Sequence, residues 1–218
     1  SSLIGFLLLG ATWVPAQTAD PGQHETSDWA NVGRYRSDDE ALIAQGSVRG
    51  RVVFLGDSLT DYWGHRTGQF FPGKPYVNRG IGGQTTAQIL ARFETDVIQL
   101  KPETVVILGG SNDMRLGVAD QKIKQNLAAM AELGRNHGIR VILASVTPVC
   151  DCYTVKSDTR PAKRIIALNH WIESYCGKNG FRYLNYFDAL ADSEGHLRRE
   201  LTVDGVHLNG DGYAQIAP

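Results

Sequence analysis

The sequence predicts an α/β fold in which a parallel sheet of five strands is covered by helices on both faces. Compact apolar runs rich in β-branched residues recur along the chain, and stretches with the helical spacing of apolar residues lie between them. Strands that alternate with helices are typical of right-handed βαβ crossovers, which place the strands parallel to one another. The composition agrees with one globular domain, since 42% of the 218 residues are hydrophobic and the net charge is −1.

The individual elements follow from length and periodicity. The two clearest buried strands are continuous apolar runs without alternation, as expected for strands covered on both faces. The predicted strands are 51–55, 75–78, 104–108, 140–145 and 181–184. The predicted helices are 85–100, 120–137 and 161–177, with one or two short helices earlier, between Trp29 and Ile43.

The first residues are expected to lie outside the folded domain. Residues 3–14 contain no charged side chain and are fewer than the ~20 apolar residues of a membrane span, so they are typical of the apolar part of a signal peptide. We therefore interpret 1–16 as the remnant of a signal peptide, with a buried N-terminal helix as the alternative, and 17–49 as a linker with short helices. The main domain is then 50–218, in a periplasmic or secreted protein without stable membrane insertion.

Three cysteines are present, and export would place them in an oxidising compartment. Cys150 and Cys152 are only two residues apart, so we expect Cys176 to pair with one of them. Three buried thiols are an equally acceptable interpretation. The pattern does not predict a zinc site, and we expect no metal.

Polar or glycine-rich loops follow three of the predicted strands, at 56–60, 78–84 and 109–113. A fourth such segment, 204–207, lies near the end of the sequence. Ligands of open parallel sheets bind beyond the carboxyl ends of the strands, where such loops converge. The sequence therefore predicts one functional site at this edge of the sheet.

The residues of these loops can be combined into a nucleophilic site. Ser58 lies where a strand is expected to turn into a helix, and a serine hydroxyl needs an adjacent base to become a nucleophile. His207 can be that base, and Asp204, three residues earlier, can orient its second ring nitrogen. The backbone N–H of Ser58, a glycine N–H of the second loop and the side-chain amide of Asn112 can then stabilise an oxyanion.

With these residues, the chain resembles the SGNH or GDSL-type serine hydrolases. The matching blocks are FLGDSL (54–59), NRGIGGQTT (78–86), LGGSNDMR (108–115) and DGVHLN (204–209). The resemblance implies a flavodoxin-like three-layer α/β/α sandwich. It also implies that Ser58, Asp204 and His207 form a catalytic triad and that Gly83, with Gly82 as the fallback, and Asn112 complete the oxyanion hole. The blocks look most similar to the bacterial lysophospholipase-like and platelet-activating-factor-acetylhydrolase-like branch. The chain departs from the family pattern in that it ends at Pro218, inside the expected last helix, which leaves the packing of the C-terminus open but not the catalytic set.

Several other functions fit the sequence poorly. A balanced charge does not suggest a nucleic-acid partner. Asp57 resembles an aspartate nucleophile, but the second acidic residue that such phosphohydrolases need two positions later is Leu59. The glycines of the second loop do not complete a dinucleotide motif, because its last glycine is replaced by Thr85. We therefore expect no cofactor.

The sequence accordingly predicts an exported serine esterase that acts through an acyl-serine intermediate. Short acyl esters such as acetyl groups on polysaccharides are the expected substrates, because no long apolar lid segment is visible. A lysophospholipase or thioesterase acting on longer chains is the alternative, and a carbohydrate-binding module without catalysis represents a different class. The aromatic residues after the nucleophile, Tyr62, Trp63, Phe70 and Phe71, either contact substrate or pack in the core. The oligomeric state is left open.

Overall fold

A computed structural model of the chain describes residues 28–217 and contains one five-stranded parallel sheet. The strands are β1 (Val52–Gly56), β2 (Tyr76–Gly80), β3 (Thr104–Leu108), β4 (Arg140–Ala144) and β5 (Arg182–Leu184). Their order is β2-β1-β3-β4-β5, which is the flavodoxin-like order. The predicted fold class is therefore confirmed. The predicted signal peptide, 1–16, and the first part of the predicted linker lie outside the described residues.

Helices pack on both faces of the sheet. The helices are α1 (Arg36–Ala44), α2 (Ser58–Asp61), α3 (Thr86–Ala91), α4 (Phe93–Asp96), α5 (Ser111–Arg115), α6 (Asp120–Asn136), α7 (Ala162–Asn179), α8 (Tyr186–Leu190) and α9 (Gly210–Ile216). Short 3-10 turns lie at Val32–Tyr35, Ile98–Leu100 and Arg199–Leu201. None of the helices in the described part of the chain is long and apolar enough to cross a membrane.

The alternation of side chains along the strands divides the core in two. Val53 and Leu55 of β1 point to one face, where they pack with apolar residues of α3, α4, α6 and α7. Phe54, between them, points to the other face and packs with residues of α8 and α9. Since every residue of β3 is buried, the centre of the sheet is covered on both sides, which produces the three-layer sandwich.

The helix predicted over 85–100 is wrong as a single element. It consists of α3, α4 and a 3-10 turn, and the backbone leaves the helical conformation at Arg92 (φ −103°, ψ 9°) and Val97 (φ −129°, ψ −64°). Ile89, Phe93 and Val97 are nevertheless all fully buried in the same core. The apolar spacing therefore identified the buried side chains correctly, although it could not show the interruptions between them.

The predicted cysteine pairing is also wrong. Cys150 and Cys152 form a disulfide with each other, and Cys176 is a free, buried thiol. Cys176 lies on α7 and packs into the core on one face of the sheet, whereas Cys150 packs into the core on the other face. The sheet therefore separates Cys176 from the other two cysteines.

The segment before the sheet packs against the second loop. The Gln84 side-chain amide donates to the carbonyl of Ala30 at 2.6 Å, and the Arg79 guanidinium donates to Asp39 at 2.9 Å. The hydroxyl of Tyr35 donates to the carbonyl of Gly80 at the end of β2. Part of the predicted linker, from residue 28 onwards, thus contributes to holding the loop that follows β2.

A buried cation connects this loop to the end of β1. Arg92 is fully buried, and its guanidinium donates to the Asp96 carboxylate at 2.6 Å, to Gln84 Oε1 at 2.7 Å and to the carbonyl of Gly56 at 2.8 Å. Gly56 directly precedes the loop that carries Ser58. Because a buried guanidinium needs such partners, this network fixes the relative positions of the two loops.

Replacing Arg92 by methionine should lower the free energy of unfolding by about 3–5 kcal/mol, because the Asp96 carboxylate would remain buried without its cation. Chemical denaturation monitored by circular dichroism measures this change. The double variant with Arg92→Met and Asp96→Leu should be more stable than the single variant, since both charges are removed together. A double variant less stable than the single one would show that the ion pair is not the origin of the effect.

Candidate active site

Ser58 occupies the turn between β1 and a short helix at the carboxyl edge of the sheet. The preceding residue, Asp57, caps α2 by accepting a hydrogen bond from the backbone N–H of Leu59 at 3.0 Å. As the first residue of α2, Ser58 has a backbone N–H that no carbonyl of its own helix can accept. The turn therefore presents both the hydroxyl and the N–H of Ser58 to the space above the sheet.

The structure brings Ser58, His207 and Asp204 into one hydrogen-bonded chain. His207 Nε2 lies 2.9 Å from Ser58 Oγ, and His207 Nδ1 lies 2.7 Å from Asp204 Oδ2. An ionised carboxylate can only accept, so Nδ1 carries a proton and Nε2 of the neutral ring is free to accept the serine proton. This arrangement matches the geometry that a serine nucleophile requires of its base.

The loop that carries Asp204 and His207 is held by its own backbone. Asp204 Oδ1 accepts the N–H groups of Val206 and His207 at 2.9 and 2.8 Å. Burial raises the pKa of Asp204, but the hydrogen bonds from His207 and Val206 outweigh this effect, so the pKa lies below its ordinary value of 3.8. Asp204 is therefore ionised at neutral pH. Thr202 adds support, because its hydroxyl donates to the carbonyl of His207 at 2.6 Å.

Gly205 lets this loop approach the disulfide. Its φ is +90°, and its carbonyl accepts the N–H of Cys150 at 2.9 Å. A Cβ at position 205 would collide with the carbonyl oxygen of Cys150. Only glycine fits both the backbone conformation and this contact, so the spacing between Asp204 and His207 in the sequence depends on it.

The two remaining predicted donors, Gly83 and Asn112, line the same cleft as Ser58. The N–H of Gly82, the fallback position, donates to the Asp61 carboxylate at 3.1 Å and is therefore already engaged. Asn112 Nδ2 donates to the carbonyl of Gln84 at 3.1 Å and has a longer contact of 3.4 Å to Asp57. The geometry thus favours Gly83 over Gly82 as the donor that faces the cleft.

Asp113 supports the loop that carries Asn112. Its carboxylate accepts the backbone N–H of Thr86 at 2.8 Å and the Thr86 hydroxyl at 2.7 Å. Asn126 of α6 donates to the same hydroxyl at 2.9 Å. The loops after β2 and β3 are therefore joined by hydrogen bonds just beneath the cleft.

The aromatic residues after the nucleophile divide between packing and the cleft. Trp63, Phe70 and Phe71 form edge, tilted and stacked contacts with one another and with Phe54, within the core. Tyr62 instead lines the cleft, with its ring centroid 4.8 Å from that of His207. Tyr62 therefore confines one side of the imidazole, while the other three stabilise the core.

The cleft has a volume of about 320 Å³, and three of the residues that line it were not predicted as site residues from the sequence. Arg115, Lys156 and Arg160 all line it. Arg115 is the last residue of the LGGSNDMR block, but the block predicts no role for it, and no motif includes Lys156 or Arg160. Lys156 and Arg160 do lie in the loop after β4, whose carboxyl end reaches the same edge as the predicted site, and this position was the one available signal. Residues 28–217 contain no group of three or more His, Cys, Asp or Glu side chains placed to hold a metal ion.

Asp57, next to Ser58, is buried, and this burial raises its pKa from the ordinary 3.8 to about 6. The hydrogen bond from Leu59 and the nearby His207 lower the pKa, but burial outweighs them. The folded chain therefore retains a proton that the unfolded chain has lost between these two pH values. The carboxylate of Asp57 thus destabilises the fold progressively as the pH rises through this window, and the penalty is complete above about pH 6.

Replacing Asp57 by asparagine removes this titration. Relative to the wild type, the free energy of unfolding of the variant should rise by up to about 3 kcal/mol between about pH 4 and about pH 7.5. Urea denaturation of both proteins across this range measures the difference in their free energies of unfolding. A lost contact to Asn112 would change this difference equally at every pH, so it does not affect how the difference varies with pH. A difference that stays constant with pH would contradict the raised pKa of Asp57.

Comparisons with known proteins show the family to which the chain belongs. Residues 54–215 match the model of the GDSL-like lipase/acylhydrolase family. A GDSL-like lipase from Bacteroides thetaiotaomicron has a similar crystal structure, with 37% sequence identity and a TM-score of 0.78, covering 85% of this chain and 93% of that protein.

Two curated relatives are similar over shorter stretches. Esterase TesA from Pseudomonas aeruginosa is 33% identical over 117 residues, which are 48% of this chain and 58% of TesA. Lipoprotein YqeF from Bacillus subtilis is 38% identical over 81 residues, which are 34% of this chain and 33% of YqeF. The chain thus matches less than two thirds of the length of either relative. The resemblance inferred from the sequence motifs is confirmed and, since the family model covers most of the chain, the chain belongs to the GDSL-like lipase/acylhydrolase family.

Proposed function

We propose that the protein is a serine esterase that hydrolyses carboxylic esters with short acyl groups through an acyl-serine intermediate. The observation that carries the proposal is the continuous hydrogen-bonded chain from Ser58 Oγ through His207 to Asp204. Gly83 and Asn112 line the cleft beside Ser58, so donors for an oxyanion are close to the nucleophile. A protein that only binds carbohydrate has no need of a nucleophile, a base and an orienting carboxylate in contact.

In the acylation step, Ser58 Oγ attacks the ester carbonyl while His207 Nε2 removes the hydroxyl proton. The carbonyl oxygen becomes negatively charged and accepts hydrogen bonds from the N–H groups of Ser58 and Gly83 and from the Asn112 amide. One hydrogen of the Asn112 side-chain amide is bonded to the carbonyl of Gln84, and the other, which has only the 3.4 Å contact to Asp57, is available to the oxyanion. Collapse of the tetrahedral intermediate transfers the proton from His207 to the departing alcohol.

In the deacylation step, water takes the place of the alcohol. His207 removes a proton from the water, which attacks the acyl carbonyl, and the carboxylic acid leaves as the proton returns to Ser58 Oγ. Asp204 stabilises the imidazolium that forms in both steps. It remains ionised, since its pKa lies below the ordinary value.

The lining of the cleft supports a short acyl group. Its apolar side chains are Leu59, Val206 and the ring of Tyr62, and the other lining residues are polar, charged or glycine. Each buried methylene contributes about 0.8 kcal/mol only if it finds an apolar surface. A cleft with so little apolar surface gains nothing from a long acyl chain.

A series of p-nitrophenyl esters of increasing acyl length tests this preference. We expect kcat/KM to be highest for the acetyl or another short ester and to fall with each added pair of methylenes. A maximum at eight carbons or more would overturn the short-acyl proposal. Ser58→Ala protein, measured in parallel, separates hydrolysis at this site from background hydrolysis.

A lysophospholipase or thioesterase activity on longer chains is the second candidate. The observation that favours it is the loop after β4, where Tyr153 and Val155 are 49% and 63% exposed. These apolar side chains flank Lys156, which lines the cleft. Acyl chains lying on this surface would shift the maximum of the ester series to longer chains, so the same experiment distinguishes the two candidates.

We also propose that the protein is exported, as residues 3–14 predict. The Cys150–Cys152 disulfide supports this location, because disulfides persist in the periplasm and outside the cell. Fractionation of cells that produce the full-length precursor, followed by alkylation and mass spectrometry, tests it. We expect the disulfide-containing protein outside the cytoplasm, and a reduced protein in the cytoplasm would contradict export.

A further inference from the structure

Three cations surround the cleft that holds Ser58, and the proposed hydrolysis uses none of them. Arg115 follows the loop after β3, and Lys156 and Arg160 belong to the loop after β4. Arg115 is exposed and Lys156 is half-buried, whereas Arg160 retains only 7% of its accessible surface. The cleft therefore has a positively charged wall, for which the proposed hydrolysis of an uncharged ester gives no reason.

Arg160 is the decisive member of this wall. Its Nε donates to the Ser111 hydroxyl at 3.0 Å, and among residues 28–217 no carboxylate forms an ion pair with it. Burial lowers the pKa of Arg160 and the neighbouring Arg115 lowers it further, and the opposite effect of Asp57 and Asp204 does not outweigh them. A buried guanidinium without a carboxylate partner is unfavourable, unless a ligand supplies the missing negative charge.

The two carboxylates that line the cleft favour the charge of Arg160 from a distance, but neither contacts its guanidinium. Asp204 is hydrogen-bonded to His207, and Asp57 caps α2 and contacts Asn112. Arg92, a buried arginine elsewhere in the chain, provides a contrast, because its guanidinium binds a carboxylate and two further oxygens. The fold thus satisfies one buried arginine completely and leaves the other open towards the cleft.

We propose that Arg160, Lys156 and Arg115 form a subsite for an anionic group, a carboxylate or a phosphate, on the alcohol portion of the ester. This inference rests on the proposed function, since a short acyl group has no atoms that could carry the charge. A guanidinium presents parallel N–H groups that match the oxygens of a carboxylate or phosphate, and Lys156 adds a point charge. The esters that the site selects are therefore short acyl esters of acidic alcohols, such as acidic sugars or phosphorylated polyols.

Matched esters test the subsite. The probes are 3-acetoxybenzoate, its neutral amide 3-acetoxybenzamide and 3-acetoxyphenyl phosphate, with hydrolysis followed by release of acetate. We expect kcat/KM for at least one anionic ester to exceed that of the amide about 10-fold or more, as charge-assisted hydrogen bonds contribute. The preference should shrink at high salt, which screens the exposed Arg115 and half-buried Lys156. The carboxylate and phosphate probes distinguish the two sources of charge.

Variants assign the preference to these residues. Lys156→Met and Arg115→Met should each lower the ratio of anionic to neutral kcat/KM by up to about 10-fold. Lys163→Met is the matched control, since Lys163 is exposed, lies seven residues along on α7 and does not line the cleft, and it should leave the ratio unchanged. Arg160→Lys should retain more of the preference than Arg160→Met. If Arg160→Met does not fold, Lys156→Met and Arg115→Met test the subsite.

A binding measurement keeps this inference separate from the esterase activity. Calorimetry with 3-hydroxybenzoate and with 3-hydroxyphenyl phosphate on the Ser58→Ala protein should show binding that Lys156→Met weakens. Equal kcat/KM for the charged and neutral esters, or a preference that Lys163→Met removes equally, would overturn the subsite while leaving the esterase proposal intact. If no ester is hydrolysed by the wild type, absence of anion binding overturns the subsite as well, and binding that depends on Lys156 supports it independently.

Discussion

Replacing Ser58 by alanine is expected to lower the turnover of a short-chain ester by about three to six orders of magnitude. The hydroxyl is the only group within hydrogen-bond distance of His207 Nε2 among the described residues. Without it, no acyl-enzyme forms, and residual hydrolysis depends on the oxyanion donors acting on water. Initial rates with p-nitrophenyl acetate, together with a thermal unfolding curve, measure the effect on activity and on the fold.

A labelling experiment identifies the nucleophile independently. A fluorophosphonate probe should modify the wild-type protein on the peptide that contains Ser58, as mass spectrometry shows, and should leave the Ser58→Ala protein unmodified. Ser193→Ala is a suitable control, because Ser193 is an exposed loop residue outside the cleft. Unchanged hydrolysis by the Ser58→Ala protein would falsify the acyl-serine mechanism and would revive the interpretation as a binding module.

Asp204→Asn should lower kcat by about 10⁴-fold with a much smaller change in KM. The variant keeps an oxygen for the N–H groups of Val206 and His207, so the loop retains its backbone bonds. Its amide, however, would face His207 Nδ1, where the carboxylate oxygen lies at 2.7 Å. An amide donates, so the imidazole would place its proton on Nε2, which then cannot accept the proton of Ser58.

The tautomer itself can be observed. Nitrogen NMR of labelled histidine should show the proton of neutral His207 on Nδ1 in the wild type and on Nε2 in the Asp204→Asn protein. A loss of activity through general loosening of the loop would leave the tautomer unchanged and would raise KM instead. Asp211→Asn is the control, since Asp211 is exposed in the first turn of α9 and lies outside the cleft.

The fold and the central site residues were accessible from the sequence for simple reasons. Strand β3 is buried at every position, so it appears as an uninterrupted apolar run. The loops after β1, β2 and β3 carry conspicuous glycines and polar residues, and the topology of a parallel sheet requires their strands' carboxyl ends to meet at one edge. Asp204 and His207 are close in sequence, so their pairing needed no knowledge of distant contacts.

Errors arose where a property depends on neighbours distant in sequence. The spacing of apolar residues predicted one helix over 85–100, but the helix is interrupted at Arg92, whose buried side chain also binds Gln84 and the carbonyl of Gly56 at the end of β1. The cysteines were assigned by their separation along the chain, whereas the sheet places Cys176 and Cys150 in different cores. Neither relationship has a local signature.

The sequence by itself determined the class of fold, the loops that form the cleft and the candidate residues Ser58, Asp204 and His207, because periodicity and loop chemistry are local properties. The tertiary structure alone decided which cysteines are joined and which cations surround Ser58, and it favours Gly83 over Gly82 because the N–H of Gly82 is already engaged. Burial and ion pairing depend on every group that surrounds a side chain, whatever its distance along the chain. Arg92 and Arg160 are the same residue type, yet packing supplies a carboxylate to one and leaves the other open to the cleft.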